Sequence, residues 1–170
     1  MRKLGILIVA AFFMSFSLQA QKIAVVDITA ILESSEDYTN AQRQLDKISA
    51  DWRQEISIQL DEIKSLYNKY QAEQVLLSDD IRKQREQEIM DKESAVRELQ
   101  KRRFGPEGDL FIKRQDLVSP IQDKVFAAIE DFANSRGFDI IFDKGGAAGL
   151  LYANSEYDKT EDIKKRLGIK

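Results

Sequence analysis

The 170-residue chain contains no cysteine and no histidine. The first absence excludes disulfides and thiol nucleophiles, and the two together remove the usual ligands of a zinc site. Glycine and proline are scarce, at 8 and 2 in the whole chain, and neither occurs between Gly5 and Gly105. Interior glycine costs a helix about 1 kcal/mol and proline about 3 kcal/mol, so this gap predicts helix over an unusually long stretch. No glycine-rich loop precedes a helix to cradle phosphate, because Gly145-Gly146 lacks the spacing. Any energy source would therefore have to be something other than bound ATP. The basic excess expected of a nucleic-acid binder is missing as well. Without Arg2 and Lys3, the 26 basic residues become 24 against 29 acidic ones, a net −5.

What is present begins with a leader. Arg2 and Lys3 form a positive start, Leu4 to Phe16 an apolar run short for a bilayer span, and Ser17-Leu18-Gln19-Ala20 a cleavage site ahead of Gln21. With no cysteine at that site, a lipid anchor is excluded. Residues 1–20 are therefore read as a cleavable signal peptide, and the remainder as a soluble exported protein of one domain's length.

Lys22 to Ile28 (KIAVVDI) reads as a buried strand. Asp27 or Thr29 caps a brief turn over Ala30 to Glu33, and Ser34-Ser35-Glu36-Asp37 opens a long helix. Apolar residues then recur at Tyr38, Ala41, Leu45, Ile48, Trp52, Ile56, Leu60, Ile63, Tyr67 and Tyr70, a heptad-like seam. Leu76-Leu77-Ser78-Asp79-Asp80 is the convincing break and places a hairpin tip there. The returning helix, Asp79 to Arg103, is rich in acid-before-base pairs at four-residue spacing, such as Glu88/Lys92 and Glu93/Arg97. Only Ile81, Ile89, Val96 and Leu99 mark its thin apolar seam.

Pro106 and Pro120 read as kinks, with Pro106 in the first turn of the continuation. From Leu117 to Ala133 the apolar face widens, as expected of a helix lying on a body. Arg136-Gly137 ends it. Phe138 to Asp143 (FDIIFD) and Gly149 to Ala153 (GLLYA) read as strands around a glycine turn, and Thr160 to Leu167 as a helix capped by Thr160. The fold class is α+β and mainly helical: a small β-rich body at 21–35 and 120–170, and a long antiparallel helical hairpin arm at 36–119. The body is small for a chain with neither disulfide nor metal, so it is expected to oligomerise. Ile23, Val25, Ile140 and Phe142 on the strands, with Phe126 and Ile129 on the adjoining helix, are the candidate contacts. Asp27, Asp139 and Asp143 lack a catalytic partner or a metal-binding pattern, so neither a catalytic residue nor a cofactor is expected. Lys101-Arg102-Arg103 reads as a solvated face.

In this order, the leader, the KIAVVD strand, the charged hairpin, the FDIIFDKGG…LLYAN end and the D-K-T-E-D-I segment resemble the Skp/OmpH family of periplasmic chaperones. The resemblance covers essentially the whole chain after the leader. It implies a homotrimer whose β-rich bodies join, whose arms surround a cavity, and whose clients are unfolded outer-membrane proteins held without ATP in the periplasm. Val75, Leu76 and Leu77 at the tip are the candidate client contacts, with Tyr67 and Tyr70 behind them. Better-known members are strongly basic and this chain is acidic, so no lipopolysaccharide or membrane-surface site is carried over. The reading from a different class is a structural coiled-coil protein that tethers or spaces envelope components.

Overall fold

A computed structural model describes residues 21–146 and 149–169; the leader at 1–20 lies outside them. Two strands, β1 (Ile23–Val26) and β2 (Ile140–Asp143), pair in parallel, with Ile23 opposite Ile140 and Val26 opposite Asp143. A parallel pair cannot be joined by a tight turn and needs a long crossover. Here the crossover is nearly the whole molecule: α1 (Ile28–Glu33), α2 (Glu36–Glu73), α3 (Asp79–Phe104) and α4 (Asp109–Arg136). After β2 come a short turn at Ser155–Tyr157 and α5 (Thr160–Arg166). Gly149 to Ala153 forms no strand, which corrects the expectation from its apolar composition. Instead, the free edge of β1 is met by a bridge from Val25 to Asp158 and a 2.8 Å bond from the Lys159 amide to the Val25 carbonyl.

Side chains alternate across a strand, and Val26 and Ile141 face the body's core. There they join Ile31 and Leu32 of α1, Val125, Ala128 and Phe132 of α4, and Ile163 of α5. Asp27 caps α1, its carboxylate accepting from the Ala30 amide at 2.8 Å. Ser35 and Thr160 were expected to cap α2 and α5, yet neither makes a side-chain capping bond at those helix starts.

The arm is two helices thick. α2 runs 38 residues without interruption, about 57 Å at 1.5 Å per residue. Toward the tip it packs on α3 through Ile56 and Ile63 against Ile89, Val96 and Leu99, with Leu66 alongside. Toward the body it packs on α4 through Ala41 and Leu45 against Val118. Leu60, Tyr67 and Ile81, expected in the seams, are exposed instead. A helix turns every 3.6 residues, so a strict 3.5-residue reading drifts off the buried face, and Leu66 takes the place that the pattern assigned to Tyr67.

The returning chain is broken at Gly105–Gly108, which corrects the expectation of a kink at Pro106. α3 ends with the Gly105 amide on the Lys101 carbonyl at 2.8 Å, and α4 begins only at Asp109. A Cβ on Gly108 would lie 2.6 Å from the Arg102 carbonyl oxygen, so the close approach requires glycine. Pro120 lies inside α4 without ending it; its position is exposed, leaving water to take the carbonyl bond that the ring cannot make. From the Trp52–Phe104 contact to the Asp37–Lys124 ion pair, α2 advances 15 residues and the returning chain 20. The four-residue break absorbs most of that excess.

Gly137 closes α4 in the left-handed region, with φ 69° and its amide on the Ala133 carbonyl. A side chain in that conformation costs about 1 kcal/mol. Gly137→Ala should lower the thermal midpoint by about 2–4 °C, read by circular dichroism at fixed protein concentration.

Candidate functional site

Two surfaces offer themselves, one at each end of the molecule. On the body, the register puts Ile23, Val25, Ile140 and Phe142 on the sheet face turned away from the helices. Ile140 and Phe142 are exposed there, and Ile23 is half-buried. Val25 is only 3% exposed, so its side chain is already covered within this chain and is not free to meet a second copy. Beyond β2 the chain continues into Leu151 and Tyr152, which are 98% and 82% exposed. These two were missed as surface residues because an apolar run reads as strand. Ile129 packs against the core, whereas its neighbour Phe126 points away from it and is exposed. The outer edge of β2 has no strand beside it among the described residues.

A polar clip holds this surface in shape. The Thr160 hydroxyl accepts from the Asp27 amide at 2.9 Å and donates to Asp158 Oδ1 at 2.6 Å; Lys144 Nζ donates to Asp158 Oδ2, also at 2.6 Å. Burial by itself pushes the Asp158 carboxyl up, but the bonds from Lys144 and Thr160 outweigh it and lower its pKa to about 2. The hydrogen bond to Asp158 likewise raises Lys144, against its partial burial. The other carboxylates near the sheet have structural partners. Asp143 Oδ1 accepts from the amides of Ile28 and Gly145, and Asp139 Oδ2 accepts from the Lys22 amide at 2.7 Å. The clip thus ties β1, the loop after β2 and the start of α5 together, which sequence spacing alone does not reveal.

At the far end, Gln74–Leu76 forms one tight turn between α2 and α3. Val75 and Leu76 are 82% and 84% exposed. Leu77 is half-buried, and its carbonyl accepts from Arg82 Nη2 at 3.4 Å, so it closes the turn. Tyr67 is exposed, while Tyr70 is half-buried and donates its hydroxyl to Glu86 across the hairpin. That bond, with partial burial and the carboxylate's charge, raises the phenol's pKa. The hairpin is further pinned by Lys92 on Glu62 at 2.9 Å. No described helix is long and apolar enough to cross a membrane.

The family described as outer membrane protein (OmpH-like) matches residues 22–167. No curated protein matches the chain significantly. Among solved structures, the chain is similar to one from Caulobacter crescentus described as OmpH-like. The TM-score is 0.72 and the identity 13%, over 89% of this chain and 86% of that one. At that identity the likeness concerns the fold: a small two-stranded body carrying long helices.

The Asp158 clip carries a pH dependence of definite sign. A carboxyl whose pKa falls on folding contributes stability above its unfolded value, and the contribution fades as pH drops through the folded one. The window therefore runs from about 3.8 down to about 2. Urea midpoints of the parent should fall more steeply across that window than those of Asp158→Asn, with the variant already less stable at pH 7. Parallel pH profiles would show that the clip carries no charge-linked stability.

Proposed function

Since this chain belongs to the OmpH-like outer membrane protein family, we propose that it is a chaperone that holds unfolded outer-membrane proteins without ATP. In this reading the leader at 1–20 exports it to the periplasm, residues 36–119 form the holding arm, and residues 21–35 with 120–170 form the body. Copies associate through their bodies into a homotrimer, and the arms enclose the client. The observation that carries the reading is an arm only two helices thick whose end presents Val75 and Leu76 to solvent. An exposed pair of large apolar residues at a turn has no role in the arm's own packing. It fits a partner of irregular sequence, bound through dispersed contacts that re-pack.

Self-association has separate support. Ile140, Phe142, Leu151 and Tyr152 are exposed apolar residues on a body whose outer strand edge is open among the described residues, an arrangement that soluble proteins cover. Three copies is what the family resemblance implies. The chain is not expected to be an enzyme, since its sheet-side carboxylates cap helices and hold loops. A tether within the envelope would use the same arm, but would not call for exposed apolar side chains at its tip.

Sedimentation equilibrium of the mature protein should give three times the chain mass at micromolar concentration, and Ile140→Asp with Phe142→Asp should dissociate it. A folded wild-type monomer would remove the trimer. For the holding activity, burying a large side chain contributes about 1.5–3 kcal/mol when complete and less when partial. Replacing Val75 and Leu76 with serine should weaken capture of an unfolded outer-membrane barrel several-fold, measured by suppression of light scattering. The variant should keep its helicity and mass. Wild-type protection by that variant would reject the tip as the contact and favour a tether.

A further inference from the structure

Toward the tip and toward the body, the arm is held by two separate apolar clusters, Ile56 to Leu99 on one side and Ala41, Leu45 and Val118 on the other. Between them, the buried position on α2 is Ser49 rather than a large apolar residue. At this level α2 continues unbroken while the returning chain leaves the helix at Gly105–Gly108. Backbone continuity therefore does not set the angle between α3 and α4.

One side chain spans all three helices at the gap. Arg103, in the last turn of α3, donates from Nη1 to Asp109 Oδ2 in the first turn of α4 at 2.7 Å. Its Nη2 lies 3.6 Å from Glu55 Oε2 on α2. Its guanidinium stands 4.5 Å from the Trp52 ring centroid, and Phe104 meets the same ring edge-on at 6.2 Å. The Arg103 side chain is only 25% exposed. Lys101 and Arg102 beside it are exposed and form none of the ion pairs found among the described residues. A basic run that reads as one solvated face thus contains one residue of a different kind.

We propose that Arg103 is the clasp that holds the distal hairpin at a set angle to α4. The arm is a stiff strut only while this guanidinium keeps its hold on Asp109, Glu55 and Trp52. A planar fork that bonds on two sides and stacks on a ring is a task for arginine; a lysine keeps the charge but loses the fork and the stacking. The clasp is a property of the joint itself. Only its consequence, a cavity of constant width, rests on the function proposed above, so failure of either leaves the other standing.

The absence of native cysteine allows a direct test on the full mature chain. Ser94→Cys on α3 and Asp123→Cys on α4, both at exposed positions across the break, carry one spin-label pair. Labelled chains are diluted into an excess of unlabelled protein so that pairs between copies are negligible. Pulsed EPR should give one narrow distance distribution for the parent. Arg103→Gln and Asp109→Asn should each broaden it about twofold, Arg103→Lys should fall between, and Lys101→Gln should leave it unchanged. Circular dichroism verifies that helicity is retained; if Arg103→Gln loses helix, the Asp109→Asn width decides. The clasp is overturned if the helical variants keep the parental width, or if Lys101→Gln broadens it as much.

Discussion

A parallel strand pair cannot be closed by a tight turn, and the pairing of Ile23–Val26 with Ile140–Asp143 imposes that condition on everything between them. The intervening chain has to leave the body, travel and return on the same side. Long helices meet the condition, because helical backbone satisfies its own hydrogen bonds and needs only one apolar stripe to pair with a neighbour. The arm is thus the connection that makes the sheet possible, and the sheet is what gives the arm a fixed base. Asp27, at the point where β1 ends, serves both: its carboxylate starts α1 and its amide joins the Thr160–Asp158 clip.

The same arrangement leaves apolar surface at the two ends. The described helices pack on the face of the two-stranded sheet that carries Val26 and Ile141. The register forces Ile140 and Phe142 onto the other face, whatever their hydrophobicity. At the tip, Leu77 is used to close the turn, and Val75 and Leu76 are left largely uncovered by the described residues. Both surfaces are ones that the described residues of a single copy leave largely uncovered, as expected where a small body and a thin arm have little mass to bury them.

Between the ends, cross-helix contacts are few, and each counts for more than it would in a globular core. Surface ion pairs such as Lys92–Glu62 contribute little individually. Arg103 differs because it is partly buried, doubly paired and stacked, and because it sits where the returning helix has been interrupted. A five-residue excess on one side of a helical hairpin has to be put somewhere, and Gly105 to Gly108 put most of it outside the helix.

Most of the architecture was legible in residue types and their spacing. A long helix opening at Ser34 to Asp37 and a return helix over Asp79 to Arg103 followed from the lack of glycine and proline and from the apolar period, the tip from Ser78-Asp79-Asp80, and the end of α4 from Gly137. These are local matters of backbone entropy, capping and left-handed conformation, which a chain settles within a few residues. Tertiary structure decided the rest. It buried Val25, left Leu60 and Tyr67 in solvent, kept Leu150 to Ala153 out of the sheet, and broke the helix at Gly105 while carrying it through Pro120. It also singled out Arg103 from two neighbours of the same charge. Each of those outcomes depends on what stands opposite a residue in space, and a partner tens of residues away leaves no trace in the local pattern.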